Sequence, residues 1–248
     1  MPSQNNTLTA RDGDGANGFA DTRIRACPPA LRPTEYTAAL LRQLRLNSNA
    51  VTGARVLEMG CGCGVVLAAL ASLGAQSVCG IDIEDEAVFW ASSLLRDIGC
   101  SDATVFRGNL WEPVAGRKFD LIAANLPHFP MQPTAFGSRP PSWSSGGIDG
   151  RRFLDAFLEG LPAHLERGGR AIITHNGFVE FDRSREILAC HGLALKVLDT
   201  LSVYIPQEKL DLISPVVLMR ERDRTLWKFG PYAFGEMHIV QITTQPGR

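Results

Sequence analysis

Alternating glycines after a short, largely apolar segment constrain this chain more than any other feature of its sequence. Residues Val56–Met59 lead into Gly60–Gly64, in which every second residue is glycine, and a second apolar segment follows. Glycine tolerates positive φ angles and lets a ligand approach the backbone closely. The first N–H groups of a helix placed after such a turn are free to bind a carboxylate or a phosphate. We therefore predict a buried strand, a ligand-binding turn and a helix.

An acid stands at the end of the next apolar segment. Asp82 lies at the spacing at which a carboxylate can accept hydrogen bonds from both hydroxyl groups of a ribose. Both a dinucleotide and S-adenosylmethionine would fit this arrangement. The pattern is G-x-G-x-G preceded by Glu58, whereas dinucleotide sites carry G-x-G-x-x-G, and it resembles the first motif of class I methyltransferases. The alternative is a turn that only joins a strand to a helix.

This resemblance implies that S-adenosylmethionine is the cofactor. Asn109 follows the third predicted strand, where the family often carries an acid that contacts the adenine amino group. The side-chain oxygen of Asn109 can accept the same hydrogen bond, although a plain turn residue is an equal alternative there. The residues that the resemblance assigns to the cofactor are Thr37, Glu58, Gly60, Cys61, Gly62, Gly64, Asp82, Ile83, Asn109, Leu110 and Asn125.

Strand-like and helix-like segments alternate along the chain, which predicts an α/β fold. The predicted strands are Arg55–Met59, Ser77–Ile83, Ala103–Phe106, Phe119–Asn125, Arg170–His175, Leu193–Ile205 and Met237–Thr243. The predicted helices are Thr34–Arg45, Val65–Leu73, Asp85–Ile98, Gly150–His164 and Glu180–Cys190. We expect a Rossmann-like sheet of seven mostly parallel strands with helices on both faces. No helix is predicted between the last two strands, so we also expect an antiparallel edge strand.

Length and composition favour one catalytic domain. A chain of 248 residues with 45% hydrophobic residues can form one substantial core. We expect residues 1–22, rich in Asn, Asp, Gly and Thr, to form a flexible tail, and residues 23–248 to form a single methyltransferase domain. The segment 207–235 is long for a loop and is expected to be a substrate-side insertion. Its basic and aromatic residues suit an anionic substrate, but a solvated charged surface is the commoner case.

Charge, cysteines and hydropathy narrow the function classes. A formal net charge of −1 provides no general attraction to nucleic acid, which stays an allowed but unfavoured partner. The six scattered cysteines lack a second pair of ligands at zinc spacing, so we expect free thiols and no metal. The sequence shows neither a signal peptide nor an apolar segment long enough to span a bilayer. We therefore expect a cytoplasmic protein with no membrane partner.

A second motif, Asn125-Leu126-Pro127-His128, ends the fourth predicted strand. It resembles the Asn-Pro-Pro-Tyr motif of amino-group methyltransferases, and these four residues are the implied catalytic residues. The family acts on glutamine amides and on exocyclic amines of nucleobases, whose nitrogens are planar and poorly nucleophilic. The Asn125 side chain and the following backbone carbonyl can each accept one N–H of such a group, which orients it and favours its developing positive charge. A simple strand-to-loop turn is the alternative.

Two positions depart from the family pattern. Leu126 replaces a proline and keeps the backbone carbonyl, but it lacks the fixed φ of proline, so a less rigid loop is expected. His128 replaces an aromatic residue that would stack on the substrate. Imidazole can stack over a smaller area, and we expect it to titrate near neutral pH. Phe129 could supply the missing aromatic face.

Two further segments are similar to HemK-like protein-glutamine methyltransferases. Arg32–Thr37 resembles the entry to the family's first helix, which would place Thr37 near the amino-acid end of the cofactor. Ser145–Arg151 resembles a Gly-Gly-x-Asp-Gly segment, which would place Gly146–Gly150 on the substrate side. From the residues alone, the first segment is equally a plain helix start and the second a flexible linker.

Together these features predict an S-adenosylmethionine-dependent methyltransferase that acts on a planar amide or exocyclic amine nitrogen. The acceptor would be a protein glutamine, a nucleobase or a small molecule. Three alternatives stay open: a small-molecule O- or C-methyltransferase, a nicotinamide-dependent oxidoreductase, and a non-catalytic module that binds the cofactor.

Overall fold

The computed structural model of the chain describes residues 27–132 and 145–244. The tail predicted for residues 1–22 lies outside the described residues. The strands are β1 (Arg55–Met59), β2 (Ser77–Asp82), β3 (Ala103–Arg107), β4 (Phe119–Ala124), β5 (Leu165–Asn176), β6 (Leu193–Ile205), β7 (Leu226–Phe229) and β8 (Tyr232–Thr244). The helices are α1 (Glu35–Leu46), α2 (Val65–Ser72), α3 (Asp85–Asp97), α4 (Arg152–His164), α5 (Phe181–Cys190), α6 (Gln207–Leu210) and α7 (Pro215–Glu221).

The strands form one sheet in the order β3-β2-β1-β4-β5-β8-β6, and β7 pairs with β8. Strands β1 to β5 are parallel, while β8 runs antiparallel to β5, β6 and β7. The Rossmann-like, mostly parallel sheet is therefore confirmed. One detail was wrong: the sheet has eight strands rather than seven. The antiparallel pairing expected at one edge is confirmed, because β8 lies between β5 and the edge strand β6 and runs antiparallel to both. The four residues of β7 are too short a signal to distinguish a strand from a loop.

Helices cover both faces of the sheet, as predicted. On one face α1, α2 and α3 pack against residues such as Val56, Leu121 and Ile172. On the other face α4 and α5 pack against residues such as Leu57 and Ile122. Neighbouring residues of one strand point to opposite faces, so the nearly continuous apolar strands reflect burial on both sides.

The chain order creates a crevice between β1 and β4. From β1 the chain passes outward to β2 and β3, then returns so that β4 lies on the other side of β1. In open α/β sheets, ligands bind beyond the carboxyl ends of the strands at such a reversal. The residues that follow β1 and β4 are Gly60 and Asn125, so both predicted motifs lie at this crevice.

Candidate active site

The glycine turn is held against β2. Its three glycines, Gly60, Gly62 and Gly64, have φ angles of 73°, 51° and 81°. The N–H groups of Gly60 and Cys61 both donate to the carbonyl of Ile81, at 2.8 and 3.0 Å. The positive φ angles explain why the turn needs glycine, and the shared carbonyl fixes the turn beside the strand that carries Asp82.

Gly64 serves a different purpose from the other two glycines. A Cβ atom at this position would lie 2.7 Å from the Cα of Ala91 in α3. Such a distance is shorter than any ordinary contact, so Gly64 is what allows α2 and α3 to pack closely. It is also absent from the lining of the cleft described next.

A cleft opens at the crevice between β1 and β4. It lies beyond the carboxyl ends of the strands, where open α/β sheets bind small molecules and cofactors. The sequence-predicted residues that line it are Thr37, Glu58, Gly60, Cys61, Gly62, Asp82, Ile83, Asn109, Leu110, Asn125, Leu126 and Pro127. Lining residues that sequence reasoning missed include Ala30, Leu31 and Phe153. They carry no motif, and only tertiary packing brings them to the cleft.

Asp82 joins the turns that follow β1 and β2. Its Oδ2 accepts the N–H of Gly62 at 2.9 Å, and its Oδ1 accepts the N–H of Glu84 at 3.1 Å. Burial raises the pKa of Asp82, and these two hydrogen bonds oppose the rise. Each carboxylate oxygen can accept further hydrogen bonds, so Asp82 can still bind hydroxyl groups of a ligand in the cleft.

Glu58 is a buried acid that faces the cleft without a full set of partners. It is 3% exposed, and its Oε2 atom has no hydrogen-bond partner among the described residues. Burial, followed by the charge of Asp82, raises the pKa of Glu58 well above its usual value. A buried carboxyl oxygen without a partner is costly. A cationic ligand in the cleft would remove that cost.

The segment after β3 lines the part of the cleft where the sequence predicts a contact with adenine. The N–H of Gly108 donates to the backbone carbonyl of Asp82 at 2.9 Å, which holds the turn against β2. Asn109 and Leu110 then line the cleft. Leu110 has a φ of 47°, an unfavourable angle for a leucine. Its side chain packs against the main hydrophobic cluster, which offsets that strain.

The segment after β4 places three of its four predicted residues at the cleft. Asn125 accepts a hydrogen bond at its Oδ1 from the hydroxyl of Thr174, at 2.8 Å. Leu126 is 8% exposed and packs against Gly60. Pro127 also lines the cleft. The glycine turn and the segment after β4 are therefore in direct contact.

His128 lies outside the lining of the cleft. Its ring is buried, and its centroid lies 6.2 Å from that of Tyr36 and 6.4 Å from that of His175. Burial lowers the pKa of His128 to about 4. The expectation that this ring titrates near neutral pH was therefore wrong, because desolvation disfavours the charged imidazolium. Phe129 is likewise buried, with its ring against Phe178.

The glycine segment before α4 packs against the segment after β4. The N–H of Gly146 donates to the carbonyl of Phe129 at 2.8 Å. A Cβ atom on Gly146 or Gly150 would lie 2.7 Å from backbone atoms of His128. Arg151, buried at the end of this segment, donates to the carbonyl of Val179 at 2.8 Å and pairs with Asp155 in α4. Gly146–Gly150 is therefore a packed support for the segment after β4 rather than a flexible linker.

The start of α1 is tied to the end of β5. The hydroxyl of Tyr36 donates to Oδ1 of Asn176 at 3.0 Å. The N–H of Thr34 donates to Oγ1 of Thr37 at 3.3 Å, which is half of a capping box at the start of α1. Residues Ala30–Thr34 and Thr37 consequently border the cleft.

Two broader properties bear on the function. All six cysteines are free thiols. Across residues 27–132 and 145–244, no group of three or more histidine, cysteine or acidic side chains could hold a metal ion. The described helices are all too short or too polar to cross a membrane.

Comparisons with known proteins agree with this geometry. A sequence model described as a methyltransferase domain matches residues 56–137. A putative protein N5-glutamine methyltransferase of Methanocaldococcus jannaschii is 31% identical over 198 residues, which cover 77% of this chain and 94% of that protein. A release factor glutamine methyltransferase of Geobacter sulfurreducens is 30% identical over 163 residues, which cover 62% of this chain and 56% of that protein.

A solved structure supports the fold. A 16S rRNA methyltransferase of T. thermophilus, in complex with AdoMet and guanosine, superposes with a TM-score of 0.55 at 18% identity. The match covers 87% of this chain and 44% of that protein. The Methanocaldococcus jannaschii relative is matched over nearly its whole length, and the fold agrees with that match. The chain therefore belongs to the HemK-like family of class I S-adenosylmethionine-dependent methyltransferases.

Proposed function

We propose that this chain methylates the side-chain amide nitrogen of a glutamine in a protein substrate. The observation that carries the proposal is one shared cleft: Asn125 and Leu126 line the same space as Glu58 and Asp82. A protein glutamine as the acceptor is supported by the names of the relatives from Methanocaldococcus jannaschii and Geobacter sulfurreducens.

The residues of the cleft fit S-adenosylmethionine. The positively charged groups of the cofactor match Glu58, whose Oε2 lacks a partner among the described residues. Its ribose hydroxyls match Asp82, and its adenine amino group matches the side-chain oxygen of Asn109. Other cofactor residues in this proposal are Thr37, Gly60, Cys61, Gly62, Ile83 and Leu110, which line the same cleft. When bound, the cofactor supplies an electrophilic methyl group on a sulfonium.

The substrate amide needs help because its nitrogen lone pair is delocalised. In this proposal the Asn125 side chain and the Leu126 carbonyl each accept one N–H of the amide. These two acceptors fix the plane of the amide and favour the positive charge that develops on its nitrogen. A strong base is not required, because the proton can leave after the transfer. His128, neutral and outside the cleft, is not placed to accept that proton.

Gly64 and His128 act indirectly in this proposal. Gly64 allows α2 to pack closely on α3 and so fixes the position of α2, which begins directly after the glycine turn. His128 and Gly146–Gly150 support the substrate turn from behind through tight backbone contacts. Pro127 stiffens the turn at its middle because its φ is fixed.

We further propose that residues 23–248 act as one methyltransferase domain, in which 207–235 contact the substrate. Strand β5 ends at Asn176, which pairs with Met237, whereas the antiparallel strand β8 begins five residues earlier, at Tyr232. The hairpin of β7 and β8 therefore extends beyond the carboxyl ends of the parallel strands, on the side of the sheet where the cleft opens. Phe229 and Tyr232 at its tip are exposed. Replacing both by serine should raise the KM for the protein substrate; an unchanged KM would argue against this contact.

The proposed function can be tested by following the methyl group. The purified chain is incubated with methyl-labelled S-adenosylmethionine and a cell extract, and protein, RNA and small molecules are then separated. We expect label in protein, and mass spectrometry after digestion should place the methyl group on a glutamine side chain. The Asn125→Ala variant should transfer at least about 100-fold less label than the wild type. Its affinity for S-adenosylhomocysteine should equal that of the wild type. Label confined to RNA, small molecules or another side chain would contradict the proposal.

A further inference from the structure

A buried hydroxyl group lies directly beside Asn125. Strands β4 and β5 are parallel with Ala124 opposite Ile173, so the next residues along, Asn125 and Thr174, are neighbours. Thr174 is 1% exposed, and its Oγ1 donates to Oδ1 of Asn125 at 2.8 Å. In the sequence, Thr174 carries no motif and is one more residue of a predicted strand.

This hydrogen bond holds the Asn125 side chain against β5. The hydroxyl engages one of the two acceptor positions of Oδ1, and the second acceptor position stays free. A threonine hydroxyl can also accept a hydrogen bond, so the contact restrains the position of the amide and does not by itself choose between its two ends. Without this contact the Asn125 side chain would sample other rotamers, and its oxygen would lose its alignment with a substrate amide.

We propose that Thr174 is a positioning residue that holds the Asn125 side chain in place and so keeps its oxygen available to the substrate. This inference rests on the proposed function, in which Asn125 accepts an N–H of the substrate glutamine. The role belongs to the hydroxyl and not to the methyl group of Thr174, so it predicts different behaviour for valine and serine at this position.

The test compares Thr174→Val, which removes the hydroxyl at nearly constant shape, with Thr174→Ser, which keeps it. We expect Thr174→Val to lower kcat about 10-fold or more, with S-adenosylhomocysteine affinity within about twofold of the wild type. Thr174→Ser should retain kcat within about threefold. Thr200→Val is the matched control, because the Thr200 hydroxyl also bonds a side chain, Nδ1 of His238 at 2.8 Å, but lies on the edge strand β6 and outside the lining of the cleft. It should leave kcat unchanged.

Testing Thr174→Val in a variant of Asn125 as well as in the wild type separates a positioning role from a general loss of structure. In Asn125→Ala no side-chain amide remains to be held, so adding Thr174→Val should change the residual rate about twofold at most. An equal loss in both backgrounds, or an unchanged kcat for Thr174→Val, would overturn the role of Thr174. A wild-type protein that methylates no glutamine would instead overturn the proposed function itself.

Discussion

Leu126 packs directly on Gly60: its Cδ2 atom lies 3.3 Å from where a Cβ would stand on that glycine. The contact joins the turn after β4 to the turn after β1, which hold the predicted substrate and cofactor residues. Leu126 stands where the family carries a proline, and the loop was expected to be less rigid for that reason. Burial against Gly60 restrains the loop by packing instead of by a fixed φ angle.

Leu126→Ala should therefore loosen the substrate turn more than the cofactor site. We expect a loss of about 2 kcal/mol in unfolding free energy, at the low end for a buried leucine because Leu126 borders the cleft. We expect kcat to fall about 10-fold, with less than about threefold change in S-adenosylhomocysteine affinity. Leu126→Met conserves volume and should stay near the wild type. Steady-state kinetics and calorimetry would check this, and equal losses in kcat and cofactor affinity would argue against it.

Asp82→Asn should weaken cofactor binding while the protein still folds. The variant keeps one oxygen, for one of the two N–H groups that Asp82 accepts. Its NH2 group loses the other hydrogen bond, and the charge and an acceptor for the ribose hydroxyls are lost with it. Loss of a hydrogen bond to a charged group predicts a rise in the Kd for S-adenosylhomocysteine of about 10-fold to 100-fold. Calorimetry measures the Kd and thermal unfolding reports the fold. Unchanged affinity would remove Asp82 from the cofactor site.

Glu58→Gln should stabilise the ligand-free protein and weaken binding of S-adenosylmethionine. Burial and then the charge of Asp82 raise the pKa of Glu58 well above the ordinary value of 4.5. With a raised folded-state pKa, the stability contribution is complete below the unfolded-state value and is lost as the pH rises through the folded-state value. Glutamine abolishes this loss.

The Tm difference between Glu58→Gln and the wild type should consequently grow as the pH rises from 4.5, the ordinary value for Glu58. Thermal unfolding across that range, followed by titration with S-adenosylmethionine, measures both effects. A Tm difference that is the same at every pH, or undiminished affinity for the cofactor, would show that Glu58 does not bear an uncompensated buried charge.

His128 should make the protein sensitive to mild acid. Its pKa is lowered from 6.5 to about 4 by burial, so its stability contribution is present above pH 6.5 and is lost as the pH falls towards 4. The expected loss between pH 7.5 and pH 5 is about 2 kcal/mol from this residue. Denaturant unfolding at both pH values should show a smaller loss for His128→Phe than for the wild type. Equal losses would indicate that the ring is not desolvated as described.

Much of the fold was predictable because local patterns agree with the tertiary structure. Strands β1 and β6 have the bounds expected from the sequence, since Arg55–Met59 and Leu193–Ile205 are bounded by turn signals. Strand β7 was missed because its four residues form a strand only by pairing with β8. The position of β8 between β5 and β6 depends on pairing between distant segments, which periodicity does not report.

The candidate site was predicted less completely. Methyltransferase activity and the cofactor followed from the glycine turn and Asp82, because a ligand site at the end of a strand has a local signature. The burial of His128 was not predictable, since it depends on Gly146 and Gly150 packing against its backbone from a later segment. Thr174 was missed because its contact with Asn125 exists only once β4 and β5 are paired.

A crystal structure of this chain with S-adenosylhomocysteine would show whether the cofactor lies between Asp82 and Asn125. We expect the ligand to occupy the cleft between β1 and β4, with its ribose hydroxyls within hydrogen-bond distance of Asp82 and its sulfur facing the space beside Asn125. A ligand bound elsewhere, or one whose sulfur faces away from Asn125, would contradict this expectation.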